Sequence, residues 1–173
     1  MGAQRLRFYI VPGANVETAL AYEVRVFNPP IPAAGGPCVD QVLPAGRVAL
    51  VDSISVNNKA LTGDGQKVSA DRDLDVTWST TDGDADVYTA SLIEMTKVPV
   101  GGGDINTVPV VRASVTSTTN RAVIRRKHLE PGRYYYVAVQ THIGFPGAQA
   151  GDFATIDYPR GASNGVSGVF LVE

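Results

Sequence analysis

Apolar residues in this chain recur at every second position far more often than at helical spacing. Leu74, Val76 and Trp78 alternate with Asp75 and Thr77. Tyr88, Ala90 and Leu92 share one face of a second segment, and Tyr135, Val137 and Val139 one face of a third. Side chains on a strand point alternately to opposite faces, so each segment reads as a strand with one buried side. Further strands are expected at residues 48–56, 108–115, 122–125 and 166–172. Turn signals separate them: Asn57 and Asn58, residues 80–86, Gly101-Gly102-Gly103-Asp104, and a long loop at 144–165 containing Gly and Pro. Short strands divided by turn clusters predict an all-β sandwich or barrel.

The first 44 residues follow a different plan. Residues 6–11 and 22–27 read as two strands able to form a hairpin, with Pro12-Gly13 closing the first. The sole helical candidate, residues 16–23, runs directly into the second. Residues 28–44 then hold Pro29, Pro30, Pro32, Pro37 and Pro44 and the pair Gly35-Gly36. Proline fixes φ and removes a ladder donor, so this stretch is read as a linker or extended loop. The expected organisation is N-terminal strands and a Pro-rich linker over 1–44, followed by a sandwich over 45–173. A two-stranded hairpin is marginal in water. The N-terminal strands are therefore expected either to add to an edge of their own sandwich or to pair with a neighbouring copy.

Three motifs carry a family resemblance over residues from about 47 to the C-terminus. Leu74-x-Val76-x-Trp78 resembles the second strand of a fibronectin type III module, and Tyr88-x-Ala90-x-Leu92 fits the third. Leu129-Glu-Pro131-Gly132-Arg-Tyr-Tyr135-Tyr-Val137-Ala-Val139 resembles that family's leucine–proline–glycine turn leading into a tyrosine and an alternating strand. The resemblance implies an immunoglobulin/fibronectin type III-like antiparallel β-sandwich with an N-terminal β-hairpin or arm. Leu129 would plug the corner, and Tyr135 would bury its ring and return its hydroxyl to nearby backbone, as in a tyrosine corner. The segment 94–113 and the loop after Val139 are longer than the family pattern, and residues 1–44 have no counterpart in a single module. The family serves as spacers, adhesins and assembly modules, so the resemblance speaks to fold more than to activity.

Composition narrows the classes. The 173 residues are 44% hydrophobic and only 18% charged, enough apolar side chain for a core. A formal charge of −2 argues against a nucleic-acid binder, which carries a basic footprint. No apolar run approaches the ~20 residues that span a bilayer as a helix. Cys38 is the single cysteine, which excludes an intrachain disulfide, and it reads as a buried apolar thiol. Residues 1–9 lack the apolar core of a signal peptide, as expected of a processed chain or of a virion protein released by lysis.

Candidate chemistry is sparse. Gly161-Ala-Ser163-Asn-Gly165 matches G-x-S-x-G, but a nucleophile elbow needs a strand before it, a helix after it and a later histidine. A turn of small residues is expected instead. Asp82, Asp84 and Asp86 begin like a calcium loop, yet Val87 and Ile93 stand where glycine and glutamate are required, so an acidic turn is expected. His128 and His142 are the only histidines, and neither has metal-ligand spacing to other donors. Arg125-Arg126-Lys127-His128 reads as a solvated edge.

Residues 64–86 carry seven acids (64, 71, 73, 75, 82, 84, 86) and two bases (67, 72). Residues 112–133 carry six bases (112, 121, 125, 126, 127, 133) and one acid, Glu130. Cross-strand pairing is the favoured explanation, and a bipolar surface orienting copies in an assembly is the alternative. Tyr134 and Tyr136 should face away from Tyr135, to stack on sugars, fill an interface or pack under the following loop.

The resulting expectation is a non-catalytic structural or interaction module of a surface assembly: a bacterial extracellular protein, or a virion decoration or tail component. The alternative is a carbohydrate-binding or adhesion module. No catalytic residue, metal or cofactor is expected. Partners would be proteins, including copies of the chain through its N-terminal arm, or a surface glycan.

Overall fold

Alternating apolar positions bury well only when a second sheet covers them, so the strands must pair into layers. The computed structural model describes strand residues 4–7 and 23–27, and residues 48–173 except 82, 102, 103, 158 and 159. Its strands are β1 (Gln4–Arg7), β2 (Glu23–Phe27), β3 (Val51–Val56), β4 (Lys59–Ala60), β5 (Gln66–Val68) and β6 (Leu74–Thr80). They continue as β7 (Val87–Gly101), β8 (Asp104–Ser117), β9 (Arg121–Ile124), β10 (Tyr134–Ile143), β11 (Arg160–Val166) and β12 (Phe170–Val172). No α-helix occurs among the described residues, only two short 3₁₀ turns, at Arg126–His128 and Ala148–Ala150.

Two sheets form an all-β sandwich. One runs β4-β3-β6-β9, all antiparallel. The other is centred on β10, which pairs with β7 on one side and with β11 and then β12 on the other. β8 extends this sheet beyond β7, β2 and β1 extend it beyond β11, and β5 adds in parallel to β12.

Leu74, Val76 and Trp78 pack in one core with Tyr88, Ala90, Leu92, Tyr135, Val137, Val139 and Phe170. Trp78 meets Tyr88 edge-on, with ring centroids 5.3 Å apart. Burying each large apolar side chain contributes about 1.5–3 kcal/mol.

Local chemistry fixes the turns. Asn57 and Asn58 both have positive φ, 51° and 65°, as the turn joining β3 to β4 requires. Pro131-Gly132 turns the chain into β10. Gly132 sits at φ 81°, where an L side chain is strained, and the Arg133 N–H donates to the Glu130 carbonyl at 3.2 Å. Leu129 is buried in the core, and the Tyr135 hydroxyl accepts a hydrogen bond from the Glu130 N–H at 3.0 Å. The corner expected at Leu129-Pro131-Gly132-Tyr135 is thus present.

Several boundaries differ from expectation. The strand expected at 166–172 is two strands, β11 and β12, and β11 begins at Arg160, inside the expected loop. Gly161-Ala-Ser163-Asn-Gly165 is therefore strand, not turn. The reason is close packing. A Cβ on Gly161 would lie 2.4 Å from Val48 Cγ2, and one on Gly165 would lie 2.6 Å from Val51 Cβ. Only glycine lets β11 approach the chain entering β3 so closely, and the same residues read as a turn in sequence. The strand expected at 108–115 is longer at both ends, as β8, and β7 runs unbroken through 94–101. β4 and β5 are additional short strands. Of the helical candidate 16–23, residues 16–22 lie outside the described residues and Glu23 begins β2. Cys38 and the linker 28–44 also lie outside them.

Candidate interaction surfaces

The longest strands, β7 and β8, extend beyond the rest of their sheet. β10 covers β7 only from Val87 to Glu94, while β7 and β8 pair with each other out to Gly101 and Asp104. Residues 95–101 and 104–110 therefore form a two-stranded ribbon that continues past the sheet for about 20 Å at ~3.3 Å per residue. The register Val98↔Asn106 and Thr96↔Val108 places Val98 and Val108 as diagonal neighbours on one face. They are 38% and 39% exposed, and Val111 on the other face is 60% exposed. Val98 and Val108 together form a small apolar contact area on the ribbon.

The edges of the ribbon are guarded against strand addition. Pro99 and Pro109 have no N–H to donate, and a register shift lies between Pro99/Ile105 and Gly101/Asp104. A second shift at the base of the ribbon, between Leu92/Ala113 and Ile93/Val111, leaves Arg112 as the extra residue and re-aims it, and its Nε donates to Glu94 Oε2 at 2.7 Å. Glu94 is 1% exposed and also accepts from Thr96 Oγ1 at 3.2 Å. A buried carboxylate needs such partners. Its arginine comes from a residue that only the register shift brings into reach, and the spacing in sequence carried no signal of it.

The outer face of β10 presents Tyr134, 44% exposed, and the half-buried Tyr136, opposite the fully buried Tyr135. The loop after Ile143 starts at the far end of β10. Its backbone hydrogen bonds, such as Asp157 N–H to the Gly144 carbonyl and Ala148 N–H to the Phe145 carbonyl, hold it there.

The segregated charges meet across strands. Arg121 donates from Nε and Nη2 to the two carboxylate oxygens of Asp75, at 2.7 and 3.1 Å, between β9 and β6. Arg125 reaches Asp73 at 2.8 Å, and the Arg126 N–H donates to the same carboxylate. That backbone donor, followed by the Arg125 guanidinium, holds the Asp73 carboxyl below its usual range. Asp73 and Asp75 of the acidic segment thus pair with Arg121, Arg125 and the Arg126 backbone of the basic one, the cross-strand pairing expected for these positions. The basic run at 125–128 forms the start of this edge and a 3₁₀ turn.

The remaining candidates have structural partners. Ser163 is fully buried in β11, and its Oγ donates to the Ala49 carbonyl at 2.7 Å. Asp86 Oδ2 accepts the N–H groups of Gly144 and Phe145 at 2.7 and 3.0 Å, tying the start of β7 to the end of β10. Asp84 and Asp86 line an open cleft of about 360 Å³ with Asp157, Ile143 and Pro146. Asp82 lies outside the described residues. No cluster of three His, Cys, Asp or Glu with metal-holding geometry occurs among the described residues. Burial, and then the charge of Arg160, push the His142 imidazole below its ordinary value. Its ring meets Phe145 edge-on at 5.9 Å.

β2 occupies the edge of β11 through Phe27↔Arg160, Val26↔Gly161 and Arg25↔Ala162, and β1 pairs outside β2. Of the two arrangements expected for the N-terminal strands, this is addition to the chain's own sandwich. No helix among the described residues is long and apolar enough to cross a membrane.

No protein-family model matches the chain, and comparison with curated proteins and with solved structures finds no match.

Proposed function

We propose that this protein is a non-catalytic structural module, with a fibronectin type III-like body, that assembles with copies of itself at a bacterial or virion surface. The observation that carries the reading is the β7–β8 ribbon, which sets Val98 and Val108 in solvent beyond the sandwich, with Val111 exposed at its base. Its guarded edges favour docking by side-chain faces over uncontrolled strand addition. The body supports the family assignment. Among its main strands the first, second and fifth (β3, β6, β9) share one sheet, and the third, fourth and sixth (β7, β8, β10) share the other with β11 and β12. The buried Tyr135 with its hydroxyl on the Glu130 N–H matches the corner that such sandwiches use.

Sedimentation velocity of the full chain over a wide concentration range tests this. Association should occur, and Val98→Asp with Val108→Asp should weaken it roughly tenfold or more, the scale of losing a buried apolar anchor. The melting temperature should be unchanged. A chain that stays monomeric at every concentration, or association indifferent to both substitutions, overturns the reading.

A second reading, a carbohydrate-binding or adhesion module, rests on Tyr134 and Tyr136 facing outward from β10. Oligosaccharide binding that disappears in Tyr134→Ala and survives the ribbon substitutions would favour it.

A further inference from the structure

We propose that β8 pairs edge to edge with β8 of a second copy, antiparallel, over residues 113–117. This deepens the assembly reading above and rests on it, adding a contact that the ribbon does not supply. Among the described residues β8 pairs with β7 alone, and the β9 that follows it joins the other sheet, beside β6. A strand so placed presents backbone N–H and C=O groups along its free side, a ladder that an added extended strand completes.

Edges are ordinarily kept short, or are blocked by charge, proline or a bulge. The other edge strands described follow that rule. β4 has two residues and Lys59, β5 three residues and Lys67. β9 has four residues and Arg121, and β1 four residues with Arg5 and Arg7. The upper part of β8 has Pro109 and the bulge at Arg112. Between Arg112 and the bend at 118–120, the segment Ala-Ser-Val-Thr-Ser carries none of these guards. Its length is that of an ordinary strand.

The same segment is its own best complement. Ser114 and Thr116 are exposed on the outer face, while Ala113 and Val115 are only partly buried against the core. A twofold axis at Val115 sets the two Val115 side chains opposite each other, covering the apolar side that each leaves open. It also sets Ser114 opposite Thr116 of the second copy, and no charge meets a like charge. Such a pairing is isologous and closes at two copies.

The register supplies the test. Residues directly opposite have Cβ atoms about 4.5–5.5 Å apart, close enough for a disulfide after small adjustment. In full-length protein carrying Cys38→Ser, chains with Ser114→Cys and chains with Thr116→Cys are mixed and oxidised. A disulfide heterodimer is expected, and none from Ser114→Cys mixed with Lys59→Cys on the β4 edge. Ser114→Lys with Thr116→Lys sets lysine against lysine in both pairs. It should weaken association about fivefold or more without lowering the melting temperature of the dilute protein. In hydrogen exchange, alternate amides of 113–117 should exchange freely in the dilute protein and gain protection on association. Association that depends on Val98 and Val108 but gives no 114–116 disulfide overturns edge pairing and leaves the assembly reading standing. A chain that stays monomeric at every concentration overturns both. Protection of every amide from 113 to 117 in the dilute monomer would show this edge covered within its own chain and overturns edge pairing.

Discussion

Gly161 and Gly165 show how a single residue type is read one way in sequence and used another way in space. Both stand in β11 with side-chain positions directed at Val48 and Val51 of the facing layer. Ser163 between them is small enough to be fully buried, and it satisfies its hydroxyl on the Ala49 carbonyl. Small residues at every second position thus form an inward face with no bulk. Gly161→Ala places a methyl group 2.4 Å from Val48 Cγ2 and must displace it. Overpacking of this kind costs about 1–3 kcal/mol. Urea denaturation should show that loss, and Gly161→Ala with Val48→Ala should recover part of it. An unchanged midpoint in the single variant would mean that β11 packs more loosely.

Among the elements, the β7–β8 pair departs most from a regular hairpin. Its register shift at Arg112 lies just before the point, after Glu94, where β10 stops pairing with β7 and the free ribbon begins. The Arg112–Glu94 ion pair closes the core at this boundary, with Glu94 continuing the inward row of Tyr88, Ala90 and Leu92. Removing one partner of a buried pair leaves the other charge uncompensated, whereas replacing both with apolar groups does not. Arg112→Ala should therefore lower the urea midpoint more than Glu94→Met combined with Arg112→Ala. The reverse order would show that the pair does not hold the boundary. The guanidinium itself stays protonated throughout, since its hydrogen bond to Glu94 raises its pKa further.

For the whole molecule, pH should act through His142. Its imidazole is pushed below the ordinary value by burial and by Arg160, so the unfolded chain binds this proton more readily than the folded one. Stability therefore rises with pH wherever the two states differ in bound protons. The contribution is fully present above the ordinary imidazole value. It is lost as pH falls through that value, until the folded group is protonated as well. Urea midpoints should fall between about pH 7.5 and about pH 5.5, a window in which carboxylates stay ionised. His142→Gln should flatten that slope. An equally steep slope in His142→Gln would assign the pH dependence to another group.

Much of this architecture was legible in the chain. Period-two alternation around Trp78, Tyr88 and Val137 determined which faces are buried, because side chains on a strand alternate whatever the partner strand is. Pro131-Gly132 and Asn57-Asn58 determined their turns, because only certain residues accept the φ values those turns need. The corner formed by Leu129 and Tyr135 followed from the same local chemistry. Tertiary structure decided what depends on approach and register. β11 was hidden because glycine at a close sheet contact is indistinguishable in sequence from glycine in a turn. The partner of Glu94 was hidden because one extra residue in β8 redirects Arg112. The projection of the ribbon was equally hidden, since it depends on where β10 stops covering β7, a comparison between strands about forty residues apart that no local pattern encodes.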